Sequence, residues 1–389
     1  MSEANALLGN TTDNASIARD QARIERFRLQ GTARRLLSLK DRIQDCVRTP
    51  TGGGNGNVAV KYRPSTGRAF YGGLVTCGQI WKCPVCAQKI TERRRVLWHE
   101  ALRAKNISAT EIEDSIVVKH VDSTYHLAMA TFTISHTSEE SLFDVITRLE
   151  RAYQILWSGR WAVDFKSEYR TLGTVRGLET THGASGWHPH IHTMFVTVGP
   201  SMRYELLSIR DRLAARWKHC VEKAGGIASL YAGVHFTVAD YQAIEYIDKM
   251  GIETHYTKRD DGAVSEVTKY PTKKARRGND GLFGLLGNAS DGDKQSAQDW
   301  QEAMHVMKGR RHVRTSNGLL RKLNASQELS DNNLAATEIH EIGDMTLALL
   351  TYKQWDVIDR RNLRAQLLNV ANTGDAQTVE DFLIEVGAR

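Results

Sequence analysis

The stretch Gly177–Val198, GLETTHGASGWHPHIHTMFVTV, reads as two strands folded back on each other about Ala184–Ser185. In a strand successive side chains alternate faces, so His188, His190 and His192 share one face and Pro189, Ile191 and Thr193 the other. Met194 and Val196 continue the histidine face as apolar positions. Single histidines in buried strands are usually tied up in hydrogen bonds. Several converging on one face point instead to a shared cation, because neutral imidazole is the commonest metal ligand. A third, non-histidine ligand is expected, and a hairpin turning at Ala184–Ser185 sets Glu179 opposite His190, within common reach of an ion. His182, in the loop, is the weaker candidate.

A chain of 389 residues exceeds one ordinary core and implies two or three domains. With 41% hydrophobic and 25% charged residues and no long apolar run, the composition is that of a globular protein without a membrane span. The first residues, MSEANALLGNTTDNAS, carry no charged start followed by an apolar core, so no secretory signal is expected and the cytoplasm is the expected location. The net charge of +7 is uneven: residues 325–389 hold 11 Asp/Glu against 5 Lys/Arg, leaving the body strongly basic. A basic body suggests a polyanionic partner.

The element order is irregular. Ser16–Leu39 is helical in period, with Gly31 as an expected break, after a polar start expected to be disordered. VAVKYR and AFYGGLVTC read as a hairpin around PSTG. Strands are expected at 125–137, 169–180 and 231–238, and helices at 138–159 (N-capped by Ser138), 201–226 and 239–251. This is not a parallel βα repeat. It predicts an α+β fold: a central antiparallel sheet with the metal strand in the middle and helices on one side. The polar, Gly-rich stretch 253–297 reads as a flexible insertion whose basic cluster KYPTKKARR supplies Lys273, Lys274, Arg276 and Arg277 as phosphate contacts.

Cys46, Cys77, Cys83 and Cys86 give a Cys-Pro-Val-Cys turn with two further cysteines outside it. Such a turn lets two thiolates bite one ion, and the other pair completes a closed tetrahedral, structural Zn²⁺ site. The deaminase pattern, His-x-Glu before Pro-Cys-x-x-Cys, is absent. Cys220 reads as a buried apolar residue. In ADYQAIEYIDKMG, Tyr246 and Lys249 are three residues apart and share a helix face, whereas Tyr241 and Tyr246 do not. A tyrosine beside a lysine and near a divalent ion has the surroundings that activate a phenol as nucleophile, so Tyr246 is the candidate.

These segments, in this order, resemble the rolling-circle replication initiators (Rep proteins) of plasmids, members of the His-hydrophobic-His (HUH) endonuclease superfamily, in the branch with a Cys-rich CPxC segment. CGQIWKCPVCAQKITERRR is similar to that cysteine segment, TFTISH to the first motif strand, GLETTHGASGWHPHIHTMFV to the metal motif, AIEYIDKMG to the Tyr-x-x-Lys motif, and MKGRRHVRTSNGLLRKL, with Arg310 and Arg311 as DNA contacts, to a closing basic segment. The resemblance covers roughly Cys46 to Leu323. It implies metal-dependent nicking of one strand at a single-stranded or cruciform plasmid origin. His190, His192 and Glu179 would hold Mg²⁺ or Mn²⁺, with His188 behind them. Tyr246 would attack and stay joined to the 5′ phosphate, leaving a 3′-OH primer, while Lys249 contacts phosphate. Host helicase and polymerase are the implied partners. Some relatives carry a glutamate one turn before the tyrosine to activate water at termination. Here that position is Gln242, and Glu245, Asp248 and Glu253 do not occupy it.

The expected layout is an N-terminal arm, partly disordered (1–40), a four-cysteine region (41–100), an HUH endonuclease domain with its insertion (101–324), and an acidic, mostly helical C-terminal region (325–389). Two other functions fit part of the pattern. A metal-dependent small-molecule hydrolase would use the His-x-His strand, but gives no reason for the cysteines or the basic clusters. A non-catalytic, zinc-containing DNA-binding regulator leaves His190, His192 and Tyr246 unexplained.

Overall fold

The computed structural model describes the chain except residues 1–2, 104–106, 113–114, 121–124, 199–205, 231, 240–256, 259–263, 266–278, 326–328, 337–340 and 389. It splits into two compact units, Met1–Ile90 with Ser265–Tyr270 and Leu329–Arg389, and Thr91–Val264 with Pro271–Glu328.

In the first unit the N-terminal segment is one helix, α1 (Glu3–Leu36). It runs through Gly31 without a break and starts well before Ser16. Leu29, Gln30, Thr32, Ala33 and Arg34 are all buried, and that packing outweighs the roughly 1 kcal/mol a glycine costs inside a helix. The hairpin β1 (Val58–Arg63) and β2 (Arg68–Gly72) forms as the PSTG turn predicts. The acidic tail then contributes a strand, Met345–Leu350, on the other side of β1. Its helices, Tyr352–Arg360, Arg364–Ala371 and Ala376–Glu385, close the core with Trp355, Ile358, Leu367, Leu368, Val379 and Leu383 against Val58, Val60 and Leu347. Arm, cysteine region and tail thus share one unit, because each alone has too little apolar surface for a core. α2 (Pro84–Arg103) opens with proline at its first position, where no N–H is required.

The second unit is the α+β sheet. After the separate hairpin β3 (Ile107–Ile112) and β4 (Ser115–His120) come β5 (Tyr125–Phe132), α3 (Leu142–Leu156), α4 (Gly159–Glu168), β6 (Thr171–Gly183), β7 (Gly186–Val198), α5 (Leu206–Lys223) and β8 (Val234–Ala239). The strand order is Asn279–Gly281, β6, β7, β5, β8, every pair antiparallel, with Val313–Thr315 also pairing with β6. The histidine strand β7 is therefore central. Its turn needs Gly186, at φ 84°, where a Cβ would stand 2.8 Å from the Cα of Ser138.

Helices α3 and α4 cover one face of β7: Tyr153 and Thr193 share a 2.8 Å hydroxyl contact, and Phe195 packs against Trp157 and Phe165. α5 extends this layer, with Trp217 packed on Phe132 and donating to the Thr133 carbonyl. On the other face Met194 and Val196 pack with Trp98 and Leu102 of α2 and with Leu319 and Leu320. α3 is capped by Ser141, not Ser138: the Ser141 hydroxyl accepts from the Asp144 N–H, while Glu140 is turned back to the Thr137 N–H and Arg148. The stretch expected to be a flexible insertion carries, from Asn279 onward, a strand and the helix Leu282–Ser290, followed by the helix Lys294–Val306; Leu282, Leu285 and Leu286 are buried.

Candidate metal centres

In the β6–β7 ladder Glu179 lies opposite His190, with Gly177 opposite His192. The Nε2 atoms of His190 and His192 approach the same oxygen, Oε2 of Glu179, at 3.0 and 2.8 Å. The three donor atoms lie within 4.8 Å of one another. Ligands at about 2.1 Å on neighbouring vertices of an octahedral ion stand about 3 Å apart, so the spacing suits a divalent cation. The donor set, one carboxylate and two imidazoles, suits Mg²⁺ poorly by nitrogen count but leaves open positions for phosphate oxygen.

Both rings are oriented from behind. The Thr131 hydroxyl meets Nδ1 of His192 at 2.9 Å, a consequence of the β5–β7 register that sets these two residues opposite each other. His190 Nδ1 meets the His188 carbonyl at 3.2 Å. Partners of this kind fix ring orientation, so each imidazole presents Nε2. Burial disfavours charge on both rings. At His190 the Glu179 carboxylate outweighs burial and raises the pKa, whereas at His192 burial prevails and lowers it. Burial would raise the Glu179 carboxyl, but the two imidazoles pull it well below the carboxylate range.

His188 is not part of this trio. Its Nδ1 meets Nε2 of His136 at 2.8 Å, and burial pushes its pKa down to about 4. His182 faces Asp299 at 3.5 Å instead. His136 lies inside the TFTISH segment but was assigned no role from sequence. His312 was also missed: it is buried beside Arg94, and burial, then Arg94, pushes its pKa down to about 3. Glu179 and His192 act on His312 electrostatically, so it belongs to the environment of the trio. Only its place in a basic segment hinted at it.

Of the expected DNA contacts, Arg310 is half-buried and paired with Glu150 at 3.0 Å, and it also donates to the Val306 carbonyl. Arg311 is exposed. Tyr246, Lys249, Lys273, Lys274, Arg276 and Arg277 lie outside the described residues.

The four cysteines converge in the first unit, all buried and none in a disulfide. Sulfur separations are 3.4 Å (Cys46–Cys86), 3.6 Å (Cys77–Cys86) and 3.7 Å (Cys46–Cys83). Thiolates at about 2.3 Å around a tetrahedral zinc stand roughly 3.8 Å apart, so the cage fits that ion closely. The Cys86 N–H points to Cys83 Sγ at 3.5 Å, the geometry of a Cys-x-x-Cys knuckle. Gly78, at φ 62°, turns the chain after Cys77 where a Cβ would strike Asn332. α1 closes the cage: Gln30 Nε2 donates to Cys83 Sγ at 3.2 Å, and Arg34 donates to the Cys46 and Ile43 carbonyls. Burial lowers the pKa of Arg34 to about 10, against the pull of Cys46 and Cys83. Two elements outside the cysteine region therefore hold it, since Arg364, also buried, donates to the Val47 carbonyl at 3.1 Å.

An antiparallel sheet with a His/His/Glu trio on its central strand defines a candidate metal-dependent site, and the Cys₄ cage is a second, separate candidate site in the other unit. Among known proteins, the chain is similar to one named "Protein rep" from Streptomyces lividans, 24% identical over 363 residues covering 78% of this chain and 76% of that protein. It is also 29% identical over 162 residues to a "Neomycin resistance protein" of Streptomyces cyanogenus, covering 35% of this chain and 34% of that protein. No family model matches the sequence, and no solved structure matches it. No helix among the described residues is long and apolar enough to cross a membrane.

Proposed function

We propose that the protein is a plasmid rolling-circle replication initiator of the HUH type, which nicks one DNA strand at its origin. The observation that carries this is the convergence of Glu179, His190 and His192 on one point of the central strand, in a chain similar over most of its length to a Rep protein. A Mg²⁺ or Mn²⁺ ion held there would polarise the scissile phosphate. Tyr246 is the nucleophile in this proposal: its phenolate oxygen bonds to phosphorus, the P–O3′ bond breaks, and the 5′ phosphate stays on the protein. The released 3′-OH becomes the primer for the host polymerase, with a host helicase opening the duplex. Lys249 favours the phenolate and contacts phosphate. The Cys₄ cage holds Zn²⁺ and serves folding, because a closed four-thiolate site has no open position for substrate. Arg311 and the cluster Lys273, Lys274, Arg276 and Arg277 supply phosphate contacts.

The test is a covalent-adduct assay on single-stranded DNA tiled across the flanks of the gene, with Mn²⁺ or EDTA. A Mn²⁺-dependent protein–DNA band that survives denaturation, and is lost in Tyr246→Phe and in His190→Ala/His192→Ala, is the expected result. A folded, metal-loaded protein that cleaves no tile would overturn the proposal.

A further inference from the structure

His136 and His188 form a pair that the proposed nicking chemistry leaves unused. Their facing nitrogens, Nε2 of His136 and Nδ1 of His188, are 2.8 Å apart, which requires one to donate and the other to accept. The protonation pattern follows from the far side of His136. Its Nδ1 is buried and has no hydrogen-bond partner among the described residues. A buried N–H left without an acceptor is rarer than a bare acceptor, so Nδ1 carries the lone pair and Nε2 the proton. His136 therefore donates and His188 Nδ1 accepts. In neutral His188 the remaining proton must then sit on Nε2, which makes no hydrogen bond among the described residues.

His188 stands on the same face of β7 as His190 and His192, with ring centroids of His188 and His190 5.4 Å apart. The face thus presents a neutral N–H donor one residue pair away from the trio. Such a donor suits an anionic oxygen, and a DNA backbone phosphate is the anionic group a nicking site holds. We propose that His188, its tautomer fixed by His136, donates its Nε2–H to a backbone phosphate oxygen of the DNA strand held at the Glu179/His190/His192 group. This rests on the nicking proposal above. His188 is a substrate-binding residue, and His136 is the positioning residue behind it.

The test uses the full-length protein, with Mn²⁺ affinity read by electron paramagnetic resonance and binding of a fluorescein-labelled oligothymidylate read by anisotropy. Glutamine carries an amide N–H near the imidazole Nε2 position, so His188→Gln and His136→Gln are the conservative variants. Expected are unchanged Mn²⁺ affinity in His188→Ala, a loss of DNA affinity of about tenfold, and recovery of most of it in His188→Gln. In ¹⁵N-histidine spectra of the wild type, His188 should show a bare Nδ1 and a protonated Nε2; His136→Ala should mix the tautomers and His136→Gln restore them. Loss of Mn²⁺ in His188→Ala would make His188 a metal ligand and overturn the inference, as would intact metal and DNA binding in that variant. A wild-type protein that binds Mn²⁺ only when His190 and His192 are present, yet gives equal DNA affinity in all His188 variants, sinks this inference alone. Absence of any Mn²⁺ binding sinks the nicking proposal and this inference with it.

Discussion

Glu179 shows how far a single residue's role can be traced. Hairpin register placed it opposite His190 from sequence, and in the structure its Oε2 is shared by two Nε2 atoms. Glu179→Gln keeps the shape and removes the charge, so Mn²⁺ affinity should fall by roughly 10–100-fold with the fold intact, measured by calorimetry. pH has a defined sign here. Metal binding needs neutral imidazole, and Glu179 raises the pKa of His190 against burial, so protons compete at higher pH than for an ordinary histidine. Mn²⁺ affinity should therefore weaken as pH falls through that raised value, and the onset should move to lower pH in Glu179→Gln. His312 behaves oppositely. Its folded pKa, about 3, lies below the ordinary 6.5, so it is neutral when folded and its stabilisation is full above 6.5. That contribution is lost as pH falls from 6.5 toward 3, with a slope of at most about 1.4 kcal/mol per pH unit. A flatter acid limb for His312→Gln in urea melts would check it.

At the scale of elements, α1 departs most from its sequence. Its periodicity suggested a helix within a partly disordered N-terminal arm, and Gly31 a break. Instead Gln30 and Arg34 are buried against the cysteine cage. A charged residue reads as exposed in any pattern-based scan, and the carbonyls it satisfies, Cys46 and Ile43, are visible only once the chain has folded. Arg34→Ala should cost about 2 kcal/mol or more, because it removes charge-assisted bonds to buried carbonyls, and should free α1 for proteolysis while Mn²⁺ binding persists. At α3 the moved cap has the same origin. Ser138 is followed directly by Glu139 and Glu140, but Glu140 turns back to Thr137 and Arg148, and Ser141 with Asp144 three residues on forms the cap. Ser141→Ala should lower stability by about 1 kcal/mol, read as a shift in Tm.

For the whole molecule, two compact units, each with a chemically different candidate metal group, predict separable responses. A strong zinc chelator should remove the unfolding transition of the unit containing the Cys₄ cage and leave the other in place. Mn²⁺ should raise the second transition alone, by about 2.7 kcal/mol at one hundred times its Kd, in calorimetric scans. A single transition moved equally by both reagents would contradict this.

The antiparallel α+β sheet, its central histidine strand, the His/His/Glu group and the cysteine quartet were all legible in the sequence. Side-chain alternation, a tight hairpin and a Cys-Pro-Val-Cys turn carry information within about twenty residues, and the shared ligand chemistry of cysteine tied the more distant Cys46 and Cys77 to that turn. The tertiary structure alone decided what long-range packing controls. It joined α1, the cysteines and the acidic tail into one unit through Arg34, Arg364 and the Met345–Leu350 strand. It gave Arg310 to Glu150, and it brought His136 to His188 and His312 beside the trio. No local pattern encodes such contacts, because residues far apart in sequence meet only when burial and hydrogen-bond satisfaction are settled for the whole chain at once.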